Sequence, residues 1–129
     1  MEKNILSVVI NRPVQEVFGF ALNPINSPKW IDGMLEETAT PWPAEKGTFY
    51  HEKWVDGSES GYELIELTSP TTFTMKKSGD TYHVRYEFEV VEDSVTQMTY
   101  SEWVESGVLE DPFTQSALDK LKVVIENGN

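Results

Sequence analysis

The sequence predicts an α+β fold: a strongly curved antiparallel sheet of about six to seven strands wrapped around one long C-terminal helix. Three observations carry this reading. Residues 111–127, DPFTQSALDKLKVVIEN, have helical periodicity. Phe113, Ala117, Leu118, Leu121, Val124 and Ile125 fall on one stripe roughly 140° wide when plotted at ~100° per residue. The run 82–90 alternates with period two. Tyr82, Val84, Tyr86, Phe88 and Val90 share one face, and His83, Arg85, Glu87 and Glu89 share the other, as in an antiparallel strand with one wet side. Finally, the order of elements is strand, helix, helical turn, about six strands, long helix. Helices do not alternate with strands, which argues against a doubly wound parallel sheet.

Residues 3–10 read as a strand rich in Ile and Val that ends before Pro13. Pro13 opens a helix with Val14, Val17, Phe18, Ala21 and Leu22 at helical spacing. Glu16 lies in its first turn, where the helix dipole favours a carboxylate, and Asn23-Pro24 stops it. Ser27-Pro28 repeats the cap-then-proline signal and predicts a short turn carrying Lys29, Trp30 and Ile31, with Trp30 as its anchor. Residues 33–40 form the next strand, and Pro41-Trp42-Pro43 and Gly47 mark a loop. Hairpin signals then separate strands at 48–55, 61–68, 71–77, 81–91 and 95–105. In the last helix Asp111 is the expected N-cap and Pro112 the first helical residue. A helix of ~16 residues is about 24 Å long, and Gly128 offers a stop. No repeat, low-complexity tract or linker interrupts the pattern, so residues 1–129 are expected to form a single domain.

A chain of 129 residues can bury about two-thirds of its unfolded surface without a staple. It has no cysteine, which excludes disulfides, thiol catalysis and zinc-thiolate sites. The opening MEKNILSVVINRP has no apolar signal-peptide core, and no apolar run approaches the ~20 residues that span a bilayer. A soluble, cytoplasmic protein is expected. Net charge is −12, from 22 acids against 10 bases. That charge repels phosphate, so neither nucleic acid nor an anionic membrane is an expected partner.

The stretch Ile10-Asn-Arg-Pro-Val-Gln-Glu-Val-Phe18 followed by Asn23-Pro-Ile-Asn-Ser-Pro-Lys-Trp30 resembles the opening of the SRPBCC, or START-like, superfamily. The resemblance continues through Lys46-Gly47-Thr48-Phe49, Glu66-Leu67-Thr68-Ser69-Pro70 and Leu118-Asp-Lys-Leu-Lys122, and so covers nearly the whole chain. It implies a helix-grip fold, with a cavity between the curled sheet and the C-terminal helix. Members bind lipids, steroids, polyketides or plant hormones there. The branches this chain is most similar to are the polyketide cyclase/dehydrase-like and chaperone-activator-like ones. It lacks the Cys/His pattern of the Rieske branch, so no cofactor is expected.

Fold alone does not assign a function; individual side chains do. In strand 95–105, alternation with Met98, Tyr100 and Val104 puts Glu102 inward. A buried carboxylate costs several kcal/mol unless paired or protonated, which makes Glu102 a candidate general acid/base or polar anchor. The alternative is a strand end or bulge that leaves it in water. Strand 48–55 has two open phases: Tyr50, Glu52 and Trp54 inward, or Phe49, His51, Lys53 and Val55 inward. In the first phase Glu52 and Glu102 share the cavity and divide acid and base roles. His83 is expected in solvent, Arg85 is expected to pair across strands, and no metal is expected because the two histidines match no ligand spacing. Tyr50, Trp54, Tyr62, Tyr86, Met98, Tyr100 and Leu118 are the candidate ligand wall, apolar with a few polar tips. The leading functional reading is binding of a small apolar or aromatic ligand. The alternatives are a polyketide cyclase/dehydratase-like enzyme using Glu102, Glu52 or a tyrosine, and a chaperone-activator-like interaction module with Trp103 and Trp42 on its outer face.

Overall fold

Apolar alternation and turn chemistry place the strands where the sequence predicts them, within one or two residues. The computed structural model describes residues 2–128. In chain order they form β1 (Glu2–Ile10), α1 (Val14–Leu22), a 3₁₀ turn (Pro24–Lys29), β2 (Met34–Thr40), β3 (Phe49–Trp54), β4 (Glu59–Thr68), β5 (Thr72–Lys77), β6 (Tyr82–Glu92), β7 (Val95–Val104) and α2 (Gln115–Glu126). The seven strands make one antiparallel sheet in the order β1-β7-β6-β5-β4-β3-β2. Register shifts at Met34/Glu36, Leu64/Glu66 and Val90/Glu92 add the local twist that lets a sheet curl. The result is the curved sheet and long C-terminal helix of a helix-grip fold.

The concave face carries the core. Leu118, Leu121 and Ile125 of α2 are buried against it, as are Val17, Phe18 and Ala21 of α1. Phe18 meets Phe73 and Phe88 edge-on, with ring centroids 5.7 and 5.2 Å apart. Such pairs add about 0.5–1.5 kcal/mol beyond their burial. Among the described residues, no helix is long and apolar enough to cross a membrane.

Four local expectations are corrected. The C-terminal helix begins later than its periodicity predicts: Thr114, in extended backbone, is the N-cap, and Asp111 has a φ of 48°. The backbone of Phe113 is already engaged by the sheet. Its amide donates to Glu102 Oε2 at 2.7 Å, and its carbonyl accepts from Asn4 Nδ2 at 2.9 Å. Phe113 and Pro112 therefore belong to a strap ahead of the helix. The 3₁₀ turn ends at Lys29 and Trp30 is its C-cap; Trp30 is still the anchor, 2% exposed and edge-on to Phe113 at 5.8 Å. His83 lies on the outer face but is only 8% exposed, because Trp103, its cross-strand partner, stacks over the imidazole at 5.0 Å. Val90, expected to face the core, is exposed where β6 runs into its terminal bulge. Arg85 does pair across strands, reaching Glu66 at 3.5 Å beside the Thr74 hydroxyl.

Candidate functional site

The curl of the sheet and the strap before α2 leave an outer groove of about 850 Å³. Its walls include Ser60, Tyr62, Lys77 and Tyr82 from the sheet, residues 106–108 and 110–114 from the strap, and Ala117 from α2. Behind it lies an inner chamber of about 70 Å³ between Ala21, Met34, Phe73, Met75, Val84 and Tyr86. Ile31, Trp54, Tyr62, Tyr82 and Phe113 border both spaces. They form a largely aromatic collar between a wide mouth and a small floor.

Two carboxyl groups meet at that floor. Glu37 on β2 and Glu52 on β3 are directly opposite in the antiparallel register, so both side chains project to the same concave face. Two like charges held this close disfavour ionising both groups. Ser27 Oγ donates to Glu37 Oε1 at 2.5 Å, Ser60 Oγ donates to Glu52 Oε1 at 2.9 Å, and Trp54 Nε1 donates to Ser60 Oγ at 3.0 Å. Burial pushes the Glu37 carboxyl up to about 9; the hydrogen bond to Glu52 and its charge push the same way, and the Ser27 hydroxyl bond opposes them. Glu37 therefore keeps its proton at neutral pH.

Glu102 is inward and 1% exposed, as alternation predicts, and its carboxyl oxygens are engaged by protein donors. It accepts from Asn4 Nδ2 at 2.9 Å and the Phe113 amide at 2.7 Å through Oε2, and from the Tyr82 hydroxyl at 2.7 Å through Oε1. Three donors thus converge on its two oxygens. Tyr82 and Phe113 border the cavity, and Glu102 stands behind them. It holds the collar in place and leaves the chamber floor to the other two carboxyls.

Residues 4–126 match one family, described as polyketide cyclase / dehydrase and lipid transport. The chain belongs to this family. Solved structures agree on the fold. The Aha1 dimer from Colwellia psychrerythraea is similar over 99% of this chain and 98% of that one, with a TM-score of 0.75 and 13% identity. XoxI from Bacillus cereus is similar over 98% and 97%, with a TM-score of 0.77 and 13% identity. The di-domain ARO/CYC StfQ from the steffimycin biosynthetic pathway is matched over 96% of this chain and 44% of that one, with a TM-score of 0.74 and 11% identity. No curated protein has a significantly similar sequence. The family match bears out the START-like resemblance carried by the opening motifs.

Within this family fold the predicted wall residues divide. Trp54, Tyr62, Tyr86 and Tyr100 line the chamber. Tyr50 is buried and donates to the Leu22 carbonyl at 2.7 Å, while Met98 and Leu118 are fully enclosed in the core. The first phase of β3 is the one adopted, with Tyr50 and Glu52 buried and Trp54 half-buried. Burial pushes the hydroxyls of Tyr50, Tyr62, Tyr82, Tyr86 and Tyr100 upward, with nearby carboxyl charges adding to the effect. All five are neutral at physiological pH. Glu52 and Glu102 are not brought together as expected; the partner of Glu52 is Glu37, which sequence reasoning missed. Strict alternation from buried Met34 would point Glu36 inward, and the bulge between Met34 and Glu36 makes it Glu37. The adjacent glutamates in a strand opposite Glu52 were the available signal. Trp103 is stacked on His83 beneath Lys3 and Arg85, whereas Trp42 lies in the β2–β3 loop at the far edge of the sheet. They form no common patch.

Proposed function

We propose that the protein binds a small, largely apolar or aromatic molecule, its body in the outer groove and one polar head passed through the collar to the Glu37–Glu52 pair. The observation that carries this is that Ile31, Trp54, Tyr62, Tyr82 and Phe113 line both spaces, so that the groove and the chamber adjoin at one wall. The chamber of about 70 Å³ suits a head group and not a ring system, whereas the groove of about 850 Å³ has room for one. Ligand pockets commonly combine apolar walls with a few convergent polar groups. Native mass spectrometry of the purified protein, followed by a thermal-shift screen of lipids, steroids and aromatic polyketides, tests the reading. A ligand that binds only the folded state stabilises it by about 2.7 kcal/mol at a hundred times its Kd. No bound mass and no shift across the screen would refute the proposal.

A second reading, an acid–base enzyme of cyclase or dehydratase type, is favoured by the placing of Glu37, its carboxyl pushed up to about 9, directly opposite a second carboxyl, Glu52. A carboxyl kept protonated at neutral pH beside a second carboxyl is suited to dividing acid and base roles. Glu37→Gln and Glu52→Gln would then abolish turnover of a bound substrate while leaving its binding within a few-fold. Retained turnover in both variants would refute this reading.

A further inference from the structure

The ligand class follows from the charges around the cavity. Among the described residues, no Lys, Arg or His lines the inner chamber. Among those residues its carboxyl groups are Glu37 and Glu52, two acids with no cation in the chamber wall to balance them. The mouth has the same sign. Asp32, Glu59, Asp80, Glu110 and Asp111 line the outer groove against the single cation Lys77. Some of these carboxylates have partners: Asp32 is bridged by Lys120 at 2.8 Å and Glu59 by His51 at 2.6 Å. The excess of acid nevertheless makes the approach attractive to cations and repulsive to anions.

A second observation, independent of the acids, points to a missing partner. Tyr86 is 8% exposed, lines the chamber, and its hydroxyl has no protein hydrogen-bond partner among the described residues. No fully enclosed polar side-chain atom among those residues lacks a partner. The Tyr86 oxygen is therefore reached from the chamber itself. A buried hydroxyl is left free for something in that space to engage. Trp54, Tyr62, Tyr82 and Tyr100 line the same chamber, and aromatic walls favour an organic cation.

We infer that the molecule this cavity takes is an organic amine, its ammonium group seated at the Glu37–Glu52 pair and the Tyr86 hydroxyl, its apolar stem held by the aromatic collar. The inference rests on the binding reading above and names its ligand class. An ammonium N–H donates to the carboxyl oxygens left free by Ser27 and Ser60 and to the Tyr86 oxygen, and its charge balances that of the pair. An alcohol of the same shape makes hydrogen bonds without the charge balance. A carboxylate brings a second negative charge to a chamber with no cation.

Three matched probes test this: 2-phenylethylamine, 2-phenylethanol and 3-phenylpropanoate, each competed against the neutral dye Nile red on the full chain at pH 7. The expected result is that the amine displaces dye at least tenfold more tightly than the alcohol, with no displacement by the carboxylate. In Glu37→Gln/Glu52→Gln the amine's advantage should fall to within about twofold of the alcohol. Equal affinity of amine and alcohol in the wild type overturns the amine assignment while leaving ligand binding in place. Dye binding that none of the three probes disturbs does the same. Absence of dye binding removes the binding reading together with this inference. Thermal unfolding checks that the double variant is folded; if it is not, the wild-type comparison of the three probes decides.

Discussion

Replacing Glu102 with leucine should remove more stability than any other single change at the cavity wall. Its carboxylate accepts from Asn4 Nδ2, the Phe113 amide and the Tyr82 hydroxyl, at 2.9, 2.7 and 2.7 Å. Leucine is comparable in size and accepts nothing. Each donor left buried and unpaired costs about 1–3 kcal/mol, and some will recover water as the strap loosens. The net loss should be about 3–6 kcal/mol, a large part of the 5–15 kcal/mol typical of a domain. Glutamine separates this from a packing effect. Its carbonyl oxygen can keep Asn4 and Phe113 while its amide donates to the Tyr82 oxygen, so Glu102→Gln loses mainly charge assistance, about 1–2 kcal/mol. Urea unfolding at pH 7, fitted with a common slope, gives the order wild type, glutamine, leucine. Because Phe113 closes the collar, leucine should also weaken dye binding. A leucine variant as stable as the wild type would refute the claim that Glu102 is a fully used latch.

Stability should also depend on pH through Glu37. Its folded-state value is raised from 4.5 to about 9, so the folded protein keeps a proton that the unfolded chain releases. Stability is then full below about pH 4.5 as far as this group is concerned and falls as pH rises toward 9, by no more than about 1.4 kcal/mol per unit. Urea midpoints from pH 5 to 9 should decline in the wild type and run flatter in Glu37→Gln; a parallel decline in both would contradict a proton kept on Glu37. In the core, Leu118→Ala should cost about 2–5 kcal/mol, because Leu118 is fully enclosed between α2 and the sheet. A loss below 1 kcal/mol in thermal or urea unfolding would show that α2 is not docked as described.

How much of this was legible depended on the range of the interaction. Strands showed themselves locally: in β6, Val84, Tyr86 and Phe88 are buried as alternation requires. Glu102 was legible for the same reason, since β7 has no bulge between Met98 and Val104. Where backbone groups are claimed by a distant residue, periodicity misleads. Phe113 fits the helical stripe, yet Glu102 on the preceding strand and Asn4 near the start of the chain hold it out of the helix. The same limit hid Glu37, because a one-residue bulge reverses the faces of β2 and nothing in MLEETAT announces it. It also misplaced His83, whose cover comes from a cross-strand indole. The fold rests on many redundant local signals, whereas the site rests on one register shift and a few long-range hydrogen bonds.

The cavity reading makes its most direct claim about Trp54. The chain has four tryptophans, so a ¹⁵N correlation spectrum carries four indole signals. Trp54 borders both spaces and donates from Nε1 to Ser60, Trp42 is in a remote loop, and Trp103 is on the outer face. Titration with 2-phenylethylamine, and separately with 2-phenylethanol, should move the Trp54 indole signal along a saturating curve while those of Trp42 and Trp103 stay fixed. A Trp54 signal that stays fixed while either outer tryptophan moves, or no movement at all with both compounds, would contradict a ligand site between the sheet and the C-terminal helix.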